Sequence, residues 1–162
     1  SQRLPATGGT YVKTPARSVV DRSFILVLGG ASMPEMQAFY RDVLGLAVTP
    51  SYESPVGVLQ TAHGLPPDSK TPLALVPLPP GFALELDQYP PSATPRPRRT
   101  DDLPPGLAMV SLLADPEAMA RAAGRLPWLV APASRPEAPY DGRRAGLLRG
   151  AAGEWLEIIV DR

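Results

Sequence analysis

One pattern occurs twice along this chain, and that repetition constrains the fold more than any single element does. Each copy opens on a short apolar, β-prone run, SFILVL at 23–28 and LAMVSLL at 107–113. Each continues into a helix with a marked start. Each closes on an apolar strand carrying a lone glutamate, ALEL at Glu85 and WLEI at Glu157. The spacing predicts two modules, 23–89 and 107–160, in one domain spanning 23–160.

The first helix has the clearest signals. In ASMPEMQAFYRDVLGL, Ser32 and Glu35 fit the S-x-x-E capping box, and Pro34 sits early, where a missing N–H costs nothing. Met36, Phe39, Tyr40, Val43 and Leu44 form one apolar stripe, and Gly45 follows as a left-handed cap. This predicts a helix over 33–44. In the second copy Asp115-Pro116-Glu117 opens a helix over 116–123, and Gly124 ends it.

Further strands are expected at Ala47–Glu53, Val56–Ala62, Leu73–Leu78, Phe82–Tyr89, Trp128–Ala131, Arg144–Arg149 and Glu154–Val160. Alternation in FALELDQY puts Ala83, Glu85, Asp87 and Tyr89 on one face and Phe82, Leu84 and Leu86 on the other, the core face. In EWLEIIV, Glu154, Leu156 and Ile158 share one face and Trp155, Glu157 and Ile159 the other. Residues 90–106, with six prolines, three arginines and two aspartates, read as a linker. Residues 1–22 read as an N-terminal arm, with a short extended piece at Thr10–Lys13.

Composition narrows the function. Acidic and basic residues balance at 16 each, which gives no electrostatic pull toward nucleic acid or an anionic membrane. No apolar run reaches membrane-spanning length. The absence of cysteine excludes disulfide and thiolate chemistry. The expected compartment is the cytoplasm, with the periplasm or secretion as alternatives if a signal segment preceded Ser1. No phosphate loop, nucleophile elbow or Cys/His zinc spacing occurs.

AFYRDVLGL at 38–46 resembles the helix signature of the vicinal oxygen chelate superfamily, which holds glyoxalases, bleomycin-resistance proteins and extradiol dioxygenases. YDGRRAGLLRGAAGEWLEIIV at 140–160 resembles that family's closing hairpin, with Gly150-Ala151-Ala152-Gly153 where relatives carry a D-P-D/E-G-N turn. The resemblance implies an α+β fold: two βαβββ modules forming one cupped, roughly eight-stranded mixed sheet around a ligand cleft. It also implies four metal-ligand positions in metal-using members, His or Gln on the first strand of each module and Glu on the last. The first-strand positions carry over to Ile25 and Ala108, or with a slip of one to Phe24 and Leu107, and none of these binds a metal. The last-strand positions carry over to Glu85 and Glu157. No transition-metal cofactor is therefore expected, and a divalent ion on Glu85 and Glu157 is the weaker alternative.

Three functions stay open. The first is metal-free binding of a small organic molecule in the cleft. The second is a metal-dependent lyase, isomerase or dioxygenase of the glyoxalase type, and the third a non-catalytic module of a larger protein. Candidate ligand contacts are Glu85, Tyr89, Trp155, Glu157 and Arg143. The two glutamates serve as polar anchors, the aromatics as stacking surfaces, and the arginine as a fork for carboxylate or phosphate. The expected partner is a small-molecule ligand, and a homodimer is compatible with the fold. The lone histidine, His63, is expected where a surface loop begins.

Overall fold

A computed structural model describes residues 23–79, 81–95, 97 and 102–160. The N-terminal arm and its extended piece, and residues 96 and 98–101 of the linker, lie outside the described residues.

Eight strands and three α-helices, the first running on into a π-helix, are found among the described residues. The first module runs β1 (Ile25–Gly30), α1 (Met33–Ala38), a π-helical continuation (Phe39–Val43), β2 (Tyr52–Ser54), α2 (Gly57–His63), β3 (Thr71–Leu78) and β4 (Phe82–Gln88). The second runs β5 (Met109–Ala114), α3 (Pro116–Ala123), β6 (Val130–Ser134), β7 (Arg144–Arg149) and β8 (Trp155–Val160). The strands form two four-stranded sheets, ordered β1-β4-β3-β2 and β5-β8-β7-β6, rather than one sheet of roughly eight. In each, the first strand pairs parallel with the last and the remaining pairs are antiparallel. The class is α+β, and the repeat has the same strand order in both copies.

The caps form as their residues dictate. Ser32 Oγ accepts from the Glu35 amide at 3.4 Å and Asp115 Oδ1 from the Ala118 amide at 2.6 Å. Gly45 takes the left-handed conformation, φ 73°. Beyond Ala38 the first helix widens to π, and the Leu46 amide reaches back six residues to the Tyr40 carbonyl at 3.0 Å.

Several expected strands move. Of the expected Ala47–Glu53 strand only Tyr52 and Glu53 pair with β3, and the pairing runs on to Ser54. The expected strand Val56–Ala62 is instead α2, closed by a left-handed Gly64. Gln60 Nε2 holds the following turn by donating to the Pro67 and Ser69 carbonyls. A short apolar run has no period to decide between strand and helix, and here those tertiary bonds decide it. β1 runs on through Gly29 and Gly30, past the expected end at residue 28. β5 and β6 start two residues later than expected.

One cluster of buried side chains joins both modules. It includes Leu28, Met36, Phe39, Tyr40, Val76, Leu84 and Leu86 from the first and Val110, Met119, Leu148, Leu156 and Ile158 from the second. These residues occupy the faces of the two sheets that pack on α1 and α3. We term the opposite faces the front faces. Among the described residues two polar ties cross between the modules. Tyr40 Oη donates to Glu154 Oε1 at 2.8 Å, and Arg121 Nη2 to the Leu44 carbonyl at 3.3 Å.

Candidate functional site

The register sets the front faces. In the first sheet Val27, Glu85 and Leu75 lie side by side, with Gly29, Asp87 and Leu73 in the next row. In the second sheet Ser111, Glu157 and Leu147 form the matching row, with Met109, Trp155 and Arg149 beside it. Glu85 and Glu157 thus hold equivalent places in the two modules, as strand alternation requires.

Glu157 is half-buried and held by two hydroxyls. Ser111 Oγ donates to Oε2 at 2.7 Å and Tyr140 Oη to Oε1 at 2.8 Å. The bond to Glu157 raises the Tyr140 phenol above its ordinary range. Tyr140 reaches the sheet from the turn Pro139–Gly142, where Asp141 and Gly142 both take positive φ. Arg143 Nη1 donates to the Tyr140 carbonyl at 3.2 Å and lies 3.8 Å from Asp141. Arg144 points the other way, toward α3, so of the two arginines Arg143 is the one on the front side. Around Glu157 the face is apolar and open, with Met109 47% and Leu113 66% exposed.

Glu85 has Asp87, two residues on along the same face of β4, as its neighbour. Burial raises its pKa, and a hydrogen bond with Asp87 opposes that rise. Asp87 is only 2% exposed. Burial, then the charge of Glu85 and the hydrogen bond to it, push the Asp87 carboxyl up to about 7. Near neutral pH the two side chains share one proton, with Asp87 the donor. The like charge within this pair is that of Glu85 acting on Asp87.

Tyr89 lies beside this pair. The Tyr89 ring lies over Gly29, in the space any side chain there would need. Its ring centroid is 6.4 Å from that of His63. His63 is therefore the last residue of a helix that reaches the front face, not the start of a surface loop. Leu59, Leu73 and Ala83 are buried outside the main cluster, so the first front face is covered where the second is open.

The donor set can be tested against a metal. The residues directly across from Glu85 and Glu157 are Val27 and Ser111, two positions beyond Ile25 and three beyond Ala108. Ile25 pairs with Ala83, and the Ala108 carbonyl accepts from the Trp155 amide at 2.8 Å. None of these supplies an imidazole, and both oxygens of Glu157 already accept hydrogen bonds. No group of three His, Asp or Glu side chains comes together among the described residues. These residues do not fit a transition metal.

Three contributors escape sequence reasoning: Asp87, Ser111 and Tyr140. The E-x-D spacing of β4, which puts both acids on one face, is a signal for the first. Ser111 and Tyr140 are brought in by long-range pairing and by a turn, and no local pattern marks them. A groove of about 400 Å³ lies away from all of this, between α3 and the second sheet, lined by Met119, Trp128, Pro132 and Arg144 among others.

No family model matches the sequence, and no curated protein sequence matches it. Solved structures do. A glyoxylase/bleomycin resistance protein/dioxygenase domain from Frankia sp. EAN1pec aligns at TM-score 0.60 and 15% identity, over 88% of this chain and 99% of that one. A glyoxalase/dioxygenase from Nostoc punctiforme aligns at 0.57 and 18%, over 100% and 99%. A lactoylglutathione lyase from Agrobacterium tumefaciens aligns at 0.52 and 20%, over 88% and 96%. No helix among the described residues is long and apolar enough to cross a membrane. With its twice-repeated strand order and these neighbours, the chain has the fold of glyoxalase/bleomycin resistance/dioxygenase-type structures.

Proposed function

We propose that this protein binds a small organic molecule on the front faces of its two sheets, without a transition metal. The observation that carries the reading is the setting of Glu157. Its carboxylate is fixed by two hydroxyl donors and stands half-exposed on an apolar surface formed by Trp155, Met109 and Leu113. A fixed acceptor in an apolar surround orients a ligand and gives specificity, while the aliphatic and aromatic area contributes most of the affinity. Glu85 plays the matching part in the first module, and Tyr89 and Trp155 offer ring faces for stacking.

A metal-dependent lyase, isomerase or dioxygenase is the second reading, favoured by the equivalent register of Glu85 and Glu157. Calorimetric titration of zinc, nickel, manganese and iron(II) into metal-stripped protein separates the two, with the Glu85→Gln/Glu157→Gln double variant as control. Metal-free binding predicts no site of micromolar affinity or better. A micromolar site abolished in the double variant would install the enzyme in its place.

A further inference from the structure

We propose that the first front face takes a positively charged nitrogen group of the ligand, an ammonium or amidinium on an apolar body, between Glu85, Asp87 and the ring of Tyr89. This rests on the small-molecule reading above and names the ligand class for one half of the site.

Glu85 and Asp87 stand two residues apart on one face of β4 and bring four carboxyl oxygens together. One proton is shared between them. Apart from the proton shared with Glu85, Asp87 Oδ1 has no hydrogen-bond partner, and the residue is 2% exposed. A second unpartnered polar atom lies on the same face: Thr71 Oγ1, on a residue 7% exposed, two positions along β3 from the direct partner of Asp87. No arginine or lysine forms an ion pair with either acid among the described residues, where the ion pairs are Arg41–Asp42, Arg121–Glu117 and Arg143–Asp141. A buried acceptor without a donor is costly, and a buried carboxylate pair without a cation more so.

A group with several N–H donors and a positive charge meets both deficits at once. A neutral hydroxyl offers one donor and no charge, and an anion meets two acids. The approach is from the half-buried side of Glu85 and past Tyr89, which is 37% exposed. The Tyr89 ring presents a π face to an arriving cation. A metal ion is poorly served here, since a hard cation needs six or more oxygens and no third acid joins the pair.

The test uses three probes of one shape: benzylammonium, benzyl alcohol and benzoate. Each is titrated at pH 8 into the full chain, into the Glu85→Gln and Asp87→Asn variants, and into Glu53→Gln, which removes an exposed charge elsewhere. Binding is followed by amide chemical-shift changes, which also report that each variant is folded. Benzylammonium is expected to bind at least tenfold more tightly than the alcohol, with benzoate weakest. Glu85→Gln and Asp87→Asn should each erase that preference, and Glu53→Gln should keep it. If Asp87→Asn does not fold, Glu85→Gln, on a half-exposed residue, carries the test alone. Equal binding of the three probes, or a cation preference that survives Glu85→Gln, overturns the inference and leaves the small-molecule reading standing. No shift from any probe at either front face overturns both.

Discussion

Asp87 carries a cost that depends on pH. Its carboxyl titrates near 3.8 when unfolded and about 7 in the folded chain, so the folded state holds its proton more tightly. A carboxyl raised in this way leaves stability intact below about pH 4 and removes it as pH climbs toward 7. The raised Glu85 acts in the same sense. Asp87→Asn keeps a donor for Glu85 and cannot ionise. Urea unfolding should therefore find the variant more stable than the parent at pH 8 and the two alike at pH 3.5. A gap that does not change with pH would mean that folding leaves the Asp87 pKa where it is in the unfolded chain. Alternation in FALELDQY already put Asp87 beside Glu85. What sequence could not give was the burial that lifts the Asp87 carboxyl and makes it the proton donor of the pair. The Tyr89 ring, just past the end of β4, lies over Gly29, the partner of Asp87 on β1.

Among the elements, the first helix ties the modules together. Tyr40 is fully buried, and burial together with Glu154 lifts its phenol well above the usual range, so it remains a donor at any working pH. Glu154, 3% exposed, takes that bond on Oε1 and the Ala152 amide on Oε2 at 3.0 Å. Tyr40→Phe should cost about 1–3 kcal/mol by stripping a buried carboxylate of one donor, measured as a shift of the urea midpoint with unchanged slope. Tyr40→Phe combined with Glu154→Gln should recover part of that loss, since the charge goes with its donor. The apolar stripe made Tyr40 legible as a core residue, and alternation put Glu154 on the core face of its strand. Their meeting was not legible, because 114 residues separate them. The π-helical turn was equally hidden, since it inserts a residue without altering the local apolar pattern. The misread helix α2 has the opposite cause. Val56 occupies its N-cap with no side-chain bond, so the usual start signal is missing.

At the scale of the whole molecule, the shared core makes the two modules one cooperative unit. Leu84 and Leu156 are both fully buried in the same cluster, one from each module. Leu84→Ala and Leu156→Ala should each cost about 2–5 kcal/mol and move a single unfolding transition. Both tryptophans lie in the second module, so a Leu84→Ala shift seen in their fluorescence reports coupling across the molecule. Two separate transitions would refute it. The duplicated order was legible because both copies repeat the same caps and closing strands. The split into two sheets was not, since pairing between edges leaves no mark on period-two patterns. The repeat is also unequal where it matters. Aligning Glu85 with Glu157 sets Phe82 at the place of Glu154, and aligning the caps Ser32 and Asp115 sets Ala123 at the place of Tyr40. A chain rebuilt from two first modules would strand a tyrosine hydroxyl against phenylalanine. One rebuilt from two second modules would bury an acid with only alanine to face it. The halves have become lock and key to each other, and neither could now serve as its own twin.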